Sequence, residues 1–148
     1  MTIVDLSSSL SASADAVWNA VKTPAAFRKV TRGLLTMPVI NKRRDEWHEG
    51  ETVNGWVFLF GFIPFSHHHL HIAKIDEEAR TLSSREQGGL VTRWDHDIIV
   101  TQVSPETCSY RDRIDIDAGV VTPVVVLYAR FFYRIRQRRW RALAQGMS

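Results

Sequence analysis

The sequence predicts an α+β fold in which a curved antiparallel sheet, of about six or seven strands, closes around one long C-terminal helix. Three observations predict it. The stretches GLVTRWDHDIIVTQV and CSYRDRIDIDAG alternate with the period of two that marks strands facing a core on one side. The links between successive strand-like stretches are too short for crossovers, so neighbours pair antiparallel. From Val120 to about Gln145 the apolar period changes to three and four, which is helical.

The elements follow in order. Residues 2 to 9 read as a first strand. Ser13 caps a helix over Ala14 to Val21, with Asp15 favoured in its first turn by the helix dipole. Thr23-Pro24 is a second cap with proline at the first helical position, opening a short helix to about Val30. Residues 34 to 48 predict one strand or two broken ones, interrupted by Pro38 and the charged run Lys42 to Glu46. Strands follow at 51 to 60, 65 to 75 and 80 to 87. They are separated by turns at Gly61 to Pro64 and Asp76 to Ala79, and the last ends at Gly88-Gly89. The two alternating strands are joined at Ser104-Pro105-Glu106. The final helix runs beyond Thr122-Pro123, read as cap plus first-position proline. Its apolar stripe is Val124, Leu127, Tyr128, Phe131 and Ile135, while Arg130, Arg134, Arg138 and Arg141 line another face.

Composition sets outer bounds. With 148 residues, 45% apolar and 24% charged, the chain predicts one globular domain over 1 to 148. No apolar run reaches the roughly 18 residues of a membrane span, and MTIVDLSSSLSASADAVW has neither a basic leader nor a long apolar core. Cys108 is the single cysteine, which rules out an internal disulfide and a cysteine-rich metal site and fits a reducing cytoplasm, the expected location. No basic residue adjoins it to make a reactive thiolate. The net charge of +3 is unevenly distributed: residues 1 to 117 carry 13 Lys/Arg and 16 Asp/Glu, whereas residues 118 to 148 carry 6 Arg and no acid.

Polar side chains on the buried face are the first functional signal. Period two puts Trp94, His96, Ile98 and Val100 on one face and Tyr110, Asp112, Ile114 and Ile116 on its match; Arg111, Arg113, Asp115 and Asp117 face solvent. Glu86 joins the buried set if the hairpins keep parity. Burying an imidazole and carboxylates costs free energy unless they are paired or serve a ligand. Paired, they either satisfy one another as a structural cluster, orient a ligand, or build a general base, since a carboxylate fixes the tautomer of a neighbouring histidine.

Three other features carry alternatives. His67, His69 and His71 share one face of their strand, and a His-x-His pair can supply two zinc ligands. With Leu70 and Ile72 inward these three face solvent, and no third ligand stands at a fixed spacing, so no metal is expected. The aromatic stretch GWVFLFGFIPF is a core or cavity wall with an apolar turn at a cavity mouth; left exposed, it would suggest a homodimer. The tail RFFYRIRQRRWRAL has the composition to meet nucleic acid or an anionic membrane surface, or to be the solvated face of a core helix. No phosphate loop, dinucleotide fingerprint or Ser-His-Asp spacing is present, so no cofactor is expected.

The segments ADAVWNAVKTPAAF, GGLVTRWDHDIIV with its Trp-x-His, YRDRIDIDAG with its aspartate, and FFYRIRQRRWRAL resemble the START-like superfamily, also called SRPBCC, with its polyketide-cyclase-like and birch-pollen-allergen-like members. The resemblance covers nearly the whole chain and implies the helix-grip fold. It also implies a ligand site between sheet and helix, because members bind lipids, sterols and polyketides or catalyse cyclisation and hydrolysis. Fold does not choose among these. The expectation is a small hydrophobic ligand of lipid, polyketide or aromatic type, with Trp94, Tyr110, Phe131, Trp56 and Phe58 as walls and His96, Asp112 and Glu86 as polar anchors. The alternative is an aromatase/cyclase- or hydrolase-like enzyme using His96 as acid/base and Asp112 to orient it. A third is a module that meets an anionic surface or a partner through the arginine-rich helix.

Overall fold

The computed structural model describes residues 2–147. Its strands are β1 (Thr2–Leu10), β2 (Leu35–Thr36), β3 (Thr52–Leu59), β4 (Ile63–Asp76), β5 (Thr81–Gly88), β6 (Val91–Ser104) and β7 (Thr107–Asp117). Its α-helices are α1 (Ala14–Val21), α2 (Pro24–Thr31), α3 (Pro38–Asn41) and α4 (Thr122–Ala144). The strands form one antiparallel sheet in the order β1-β7-β6-β5-β4-β3-β2, curled into a half-barrel around α4: the helix-grip fold.

The two early helices start as their sequences dictate. The Ser13 side chain accepts from the Ala16 amide and that of Thr23 from the Ala26 amide, each satisfying an otherwise orphaned donor. Residues 34 to 48 depart from the strand reading. β2 is two residues long, and Pro38, which cannot donate to a sheet ladder, opens α3 instead. Gly55 on β3 explains how α3 fits: a Cβ there would lie 2.8 Å from Val39 Cγ1. The start of α4 also shifts by one residue. A 3-10 turn over Gly119–Val121 leads in, and Thr122 is already helical. Its hydroxyl accepts from the Ala118 amide at 2.9 Å and donates to the Gly119 carbonyl at 2.7 Å. Pro123 keeps the expected first-turn position.

The buried face of α4 is not the stripe read from the sequence. Val126, Ala129, Phe132, Tyr133, Gln137 and Trp140 pack inward, whereas Val124, Leu127 and Phe131 are exposed. Both sets recur at three and four. The phase is decided in the second half of the helix, where Trp140 and Ala144 share the buried face with Phe132, and Arg136 is the one arginine on it. Trp140 lies against Tyr110 with ring centroids 5.1 Å apart, inside a cluster with Trp18, Ile40 and Val100. A second cluster joins Val126, Ala129 and Phe132 to Val4, Ile114 and Ile116. Each fully buried side chain of this size contributes about 1.5–3 kcal/mol.

The convex face carries charge. Arg111 makes a two-pronged pair with Asp5 at 2.9 and 2.5 Å, and Arg93 reaches Asp115 at 3.4 Å. These acids do not neutralise the C-terminal arginines: among the described residues, no arginine of α4 forms a salt bridge. No helix among them is long and apolar enough to cross a membrane.

Candidate functional site

The concave face of the sheet and the inner face of α4 enclose a cavity of about 360 Å³, within the range of small-molecule sites. Its walls are mostly apolar and aromatic, with Leu70, Ile72, Leu82 and Ile98 from the sheet and Phe132 and Trp140 from the helix. It reaches the end of the sheet where the β3–β4 turn, the β5–β6 turn and the start of α4 meet, and Phe65, Val91 and Val124 line it there. The same end exposes Phe60, Phe62, Leu90, Val120 and Leu127. Gly61 and Gly89 make the two turns at positive φ, +84° and +56°.

Polar groups enter this apolar space from three strands and the helix. Parity holds across β5, β6 and β7 because the register shifts fall near the hairpin ends, after Glu86 and after Gln102. His96 therefore shares the concave face with Glu86, Trp94 and Asp112. Directly opposite His96 stands Ile114, and Asp112 faces Ile98, so the pair meets on the diagonal. His96 Nε2 lies 2.7 Å from Asp112 Oδ1, the Tyr110 hydroxyl donates to the same oxygen at 3.2 Å, and Gln137 Nε2 donates to Oδ2 at 3.1 Å. Burial alone would raise the Asp112 pKa, but its bonds from His96 and Gln137 and the nearby Arg136 charge outweigh it and hold it below the usual value. An ionised Asp112 keeps a proton on His96 Nε2. Nδ1 has no hydrogen-bond partner among the described residues.

A second pair was not foreseen. Ser66, His68, Leu70 and Ile72 form the inward face of β4, and His68 Nε2 lies 3.0 Å from Glu86 Oε1. The Ser84 hydroxyl donates to Glu86 Oε2 at 2.7 Å. Here too burial works to raise the carboxyl pKa, and the bonds and charge of His68 reverse it, leaving Glu86 below its ordinary value. Two further residues complete the polar lining. Tyr133 accepts a hydrogen bond from Trp94 Nε1 at 3.1 Å and stands against His96 with ring centroids 5.0 Å apart; burial pushes its phenol pKa far up. Arg136 lies on the inner face of α4, only 5% exposed.

Trp94, His96 and Glu86 thus line the cavity together. Asp112 and Tyr110, both 0% exposed, sit behind the wall and support it rather than line it. Three expected wall residues are elsewhere. Trp56 is 52% exposed on the convex face, where its ring meets that of His67 at 5.9 Å. Phe58 shares the outer parity of Trp56 on β3, and its neighbours Val57 and Leu59 line the cavity instead. Phe131 is 51% exposed because the helix turns Phe132 inward. His67, His69 and His71 lie on the outer face of β4; His71 Nδ1 is 2.9 Å from the Thr52 hydroxyl, and His69 bonds Asn54. Among the described residues no group of three His, Cys, Asp or Glu side chains is placed to hold a metal ion. Cys108 is buried, which pushes its thiol pKa up and away from nucleophilic use.

His68 and Arg136 are the residues that sequence reasoning missed. The signal for His68 was its shared parity with Leu70 and Ile72. The signal for Arg136 was its place one turn from both Phe132 and Trp140.

A family model described as a domain of unknown function, DUF8410, matches residues 8–144. No curated protein sequence matches the chain. Several solved structures share its fold. A START superfamily protein from Mycobacterium smegmatis superposes with a TM-score of 0.73 at 11% identity, covering 97% of each chain. Truncated norcoclaurine synthase from Thalictrum flavum superposes with a TM-score of 0.72 at 16% identity, covering 99% of this chain and 95% of that one. The Zhui aromatase/cyclase from Streptomyces sp. R1128 gives 0.69 at 12% identity, covering 97% and 93%. At these identities the likeness is one of fold, and it is START-like.

Proposed function

The chain belongs to the DUF8410 family, a domain of unknown function, and from that premise we propose that it binds a small hydrophobic molecule in the cavity between sheet and α4. The observation that carries this reading is the cavity itself: about 360 Å³ of mostly apolar space into which Glu86, Trp94, His96 and Arg136 project. A few convergent polar groups in an otherwise greasy enclosure orient a ligand while burial of its apolar surface supplies affinity. His96 and Glu86 are already held by Asp112, His68 and Ser84, so they present fixed polar edges. Neighbours of the same fold named as a norcoclaurine synthase and an aromatase/cyclase support a ligand-accepting interior.

The neutral dye N-phenyl-1-naphthylamine tests it. One dye per chain is expected, with enhanced emission, and Val125→Trp, placed on the cavity wall, is expected to abolish binding. No saturable binding, or binding indifferent to that variant, would sink the reading.

A second reading is favoured by one specific observation, the free Nδ1 of His96 beside an ionised Asp112. That arrangement would serve a general base in a cyclisation or hydrolysis. The two readings separate at His96→Ala. A binding protein loses affinity, whereas an enzyme keeps the ligand and loses turnover.

A further inference from the structure

Arg136 is the permanent cation of the cavity wall, and it is the one charged group there with no partner. Among the described residues its guanidinium makes no hydrogen bond and no ion pair, and its Nε is buried without an acceptor. Its neighbours on the helix are aromatic. The guanidinium carbon lies 5.7 Å from the centroid of Phe132 and 5.1 Å from that of Tyr133, and Trp140 follows one turn on. Trp140 also lines the cavity, and its Nε1–H is likewise buried without a partner.

The carboxylates nearby do not meet this need, since neither Glu86 nor Asp112 makes a hydrogen bond to Arg136. Both oxygens of Glu86 are engaged, by His68 and Ser84, and both oxygens of Asp112, by His96 with Tyr110 and by Gln137. Their charges balance that of Arg136 through space, but they leave its N–H groups unmet. The inner face of α4 thus presents unpaired donors of Arg136 and Trp140 one turn apart, and among the described residues no protein acceptor lies within hydrogen-bond distance of them. A buried donor without an acceptor is costly, and a planar guanidinium fork matches a planar carboxylate.

Resting on the cavity as a binding site, we propose that its ligand is an amphipathic acid, whose carboxylate is received by Arg136 and whose hydrocarbon or aromatic body fills the apolar space. A phosphate would fit less well. Its second charge would call for a further cation, and among the described residues no second lysine or arginine lines the cavity.

Decanoic acid and decan-1-ol, which share a tail and differ in head group, test the proposal by calorimetric titration at pH 7.5. The wild-type protein is expected to bind the acid at least tenfold more tightly than the alcohol. Arg136→Gln is expected to abolish that preference while still binding the alcohol, and Arg136→Lys to retain part of it. A readout in the unaltered protein accompanies these: the arginine Nε–Hε resonance absent from the Arg136→Lys spectrum is expected to shift with decanoate and not with decanol. Equal affinity for acid and alcohol would overturn the proposal and leave the cavity reading standing. So would an acid preference that survives in Arg136→Gln, or an Arg136 resonance indifferent to decanoate. Failure of both molecules to bind the wild type would overturn the cavity reading and this proposal with it.

Discussion

His68 and Glu86 meet diagonally across β4 and β5, Nε2 to Oε1 at 3.0 Å, although His68 is directly opposite Gly88 and Glu86 opposite Leu70. His96 and Asp112 repeat the relation across β6 and β7, each offset by two residues from its direct partner. The two histidines thus present themselves to one cavity, and each has a carboxylate beside it to hold it.

Acid stability follows from these pairs. Glu86 and Asp112 titrate below their ordinary values of 4.5 and 3.8 in the folded chain. The unfolded chain therefore binds more protons in that range, so stability present at neutral pH is lost as pH falls from about 5 toward the folded-state values. Urea midpoints measured from pH 7 down to pH 3 are expected to fall more steeply in the wild type than in Glu86→Gln or Asp112→Asn. Parallel curves would contradict the assignment.

Asp112→Ala is expected to destabilise the fold by about 3–5 kcal/mol, because it leaves three buried donors without this acceptor, each costing about 1–3 kcal/mol. His96, Tyr110 and Gln137 would all lose an acceptor. Chemical denaturation reads this directly.

Trp94 and Tyr133 tie the sheet to α4 through one hydrogen bond of 3.1 Å. Trp94→Phe and Tyr133→Phe are each expected to cost about 1 kcal/mol, and the double variant little more than either alone. Additive losses would mean that the bond contributes nothing.

The inner face of α4 gives a sharp contrast between adjacent residues. Phe132→Ala is expected to cost about 3–5 kcal/mol by opening a cavity, whereas Phe131→Ser should stay within about 0.5 kcal/mol. Thermal unfolding of the pair decides which phase of the helix is buried.

Much of the site was legible where side-chain period and burial agree. In β6 Arg93, Asp95 and Asp97, and in β7 Arg111, Arg113, Asp115 and Asp117, mark the outer face, so Trp94, His96 and Asp112 could face only the other way. Ser13 and Thr23 announced their helices for a similar reason, since cap chemistry is local. Elsewhere the pattern admitted two phases. His67 to His71 places histidine at both parities, and only the inward packing of Leu70 and Ile72 separates His68 from its neighbours. The first half of α4 is apolar on every side, so Val124, Leu127 and Phe131 made as good a stripe as Val126, Ala129 and Phe132. That ambiguity concealed Arg136, which fell in neither the apolar stripe nor the row of Arg130, Arg134, Arg138 and Arg141. The region around Pro38 failed for a different reason: proline broke the strand and began a helix whose docking depends on Gly55, far along the chain.

Native mass spectrometry of freshly purified protein, with extraction and identification of any retained molecule, tests the cavity most directly. The expected result is one small hydrophobic molecule per chain, lost in the Val125→Trp variant that closes the space. An unliganded mass for the wild type, unchanged after incubation with hydrophobic candidates, would contradict the account.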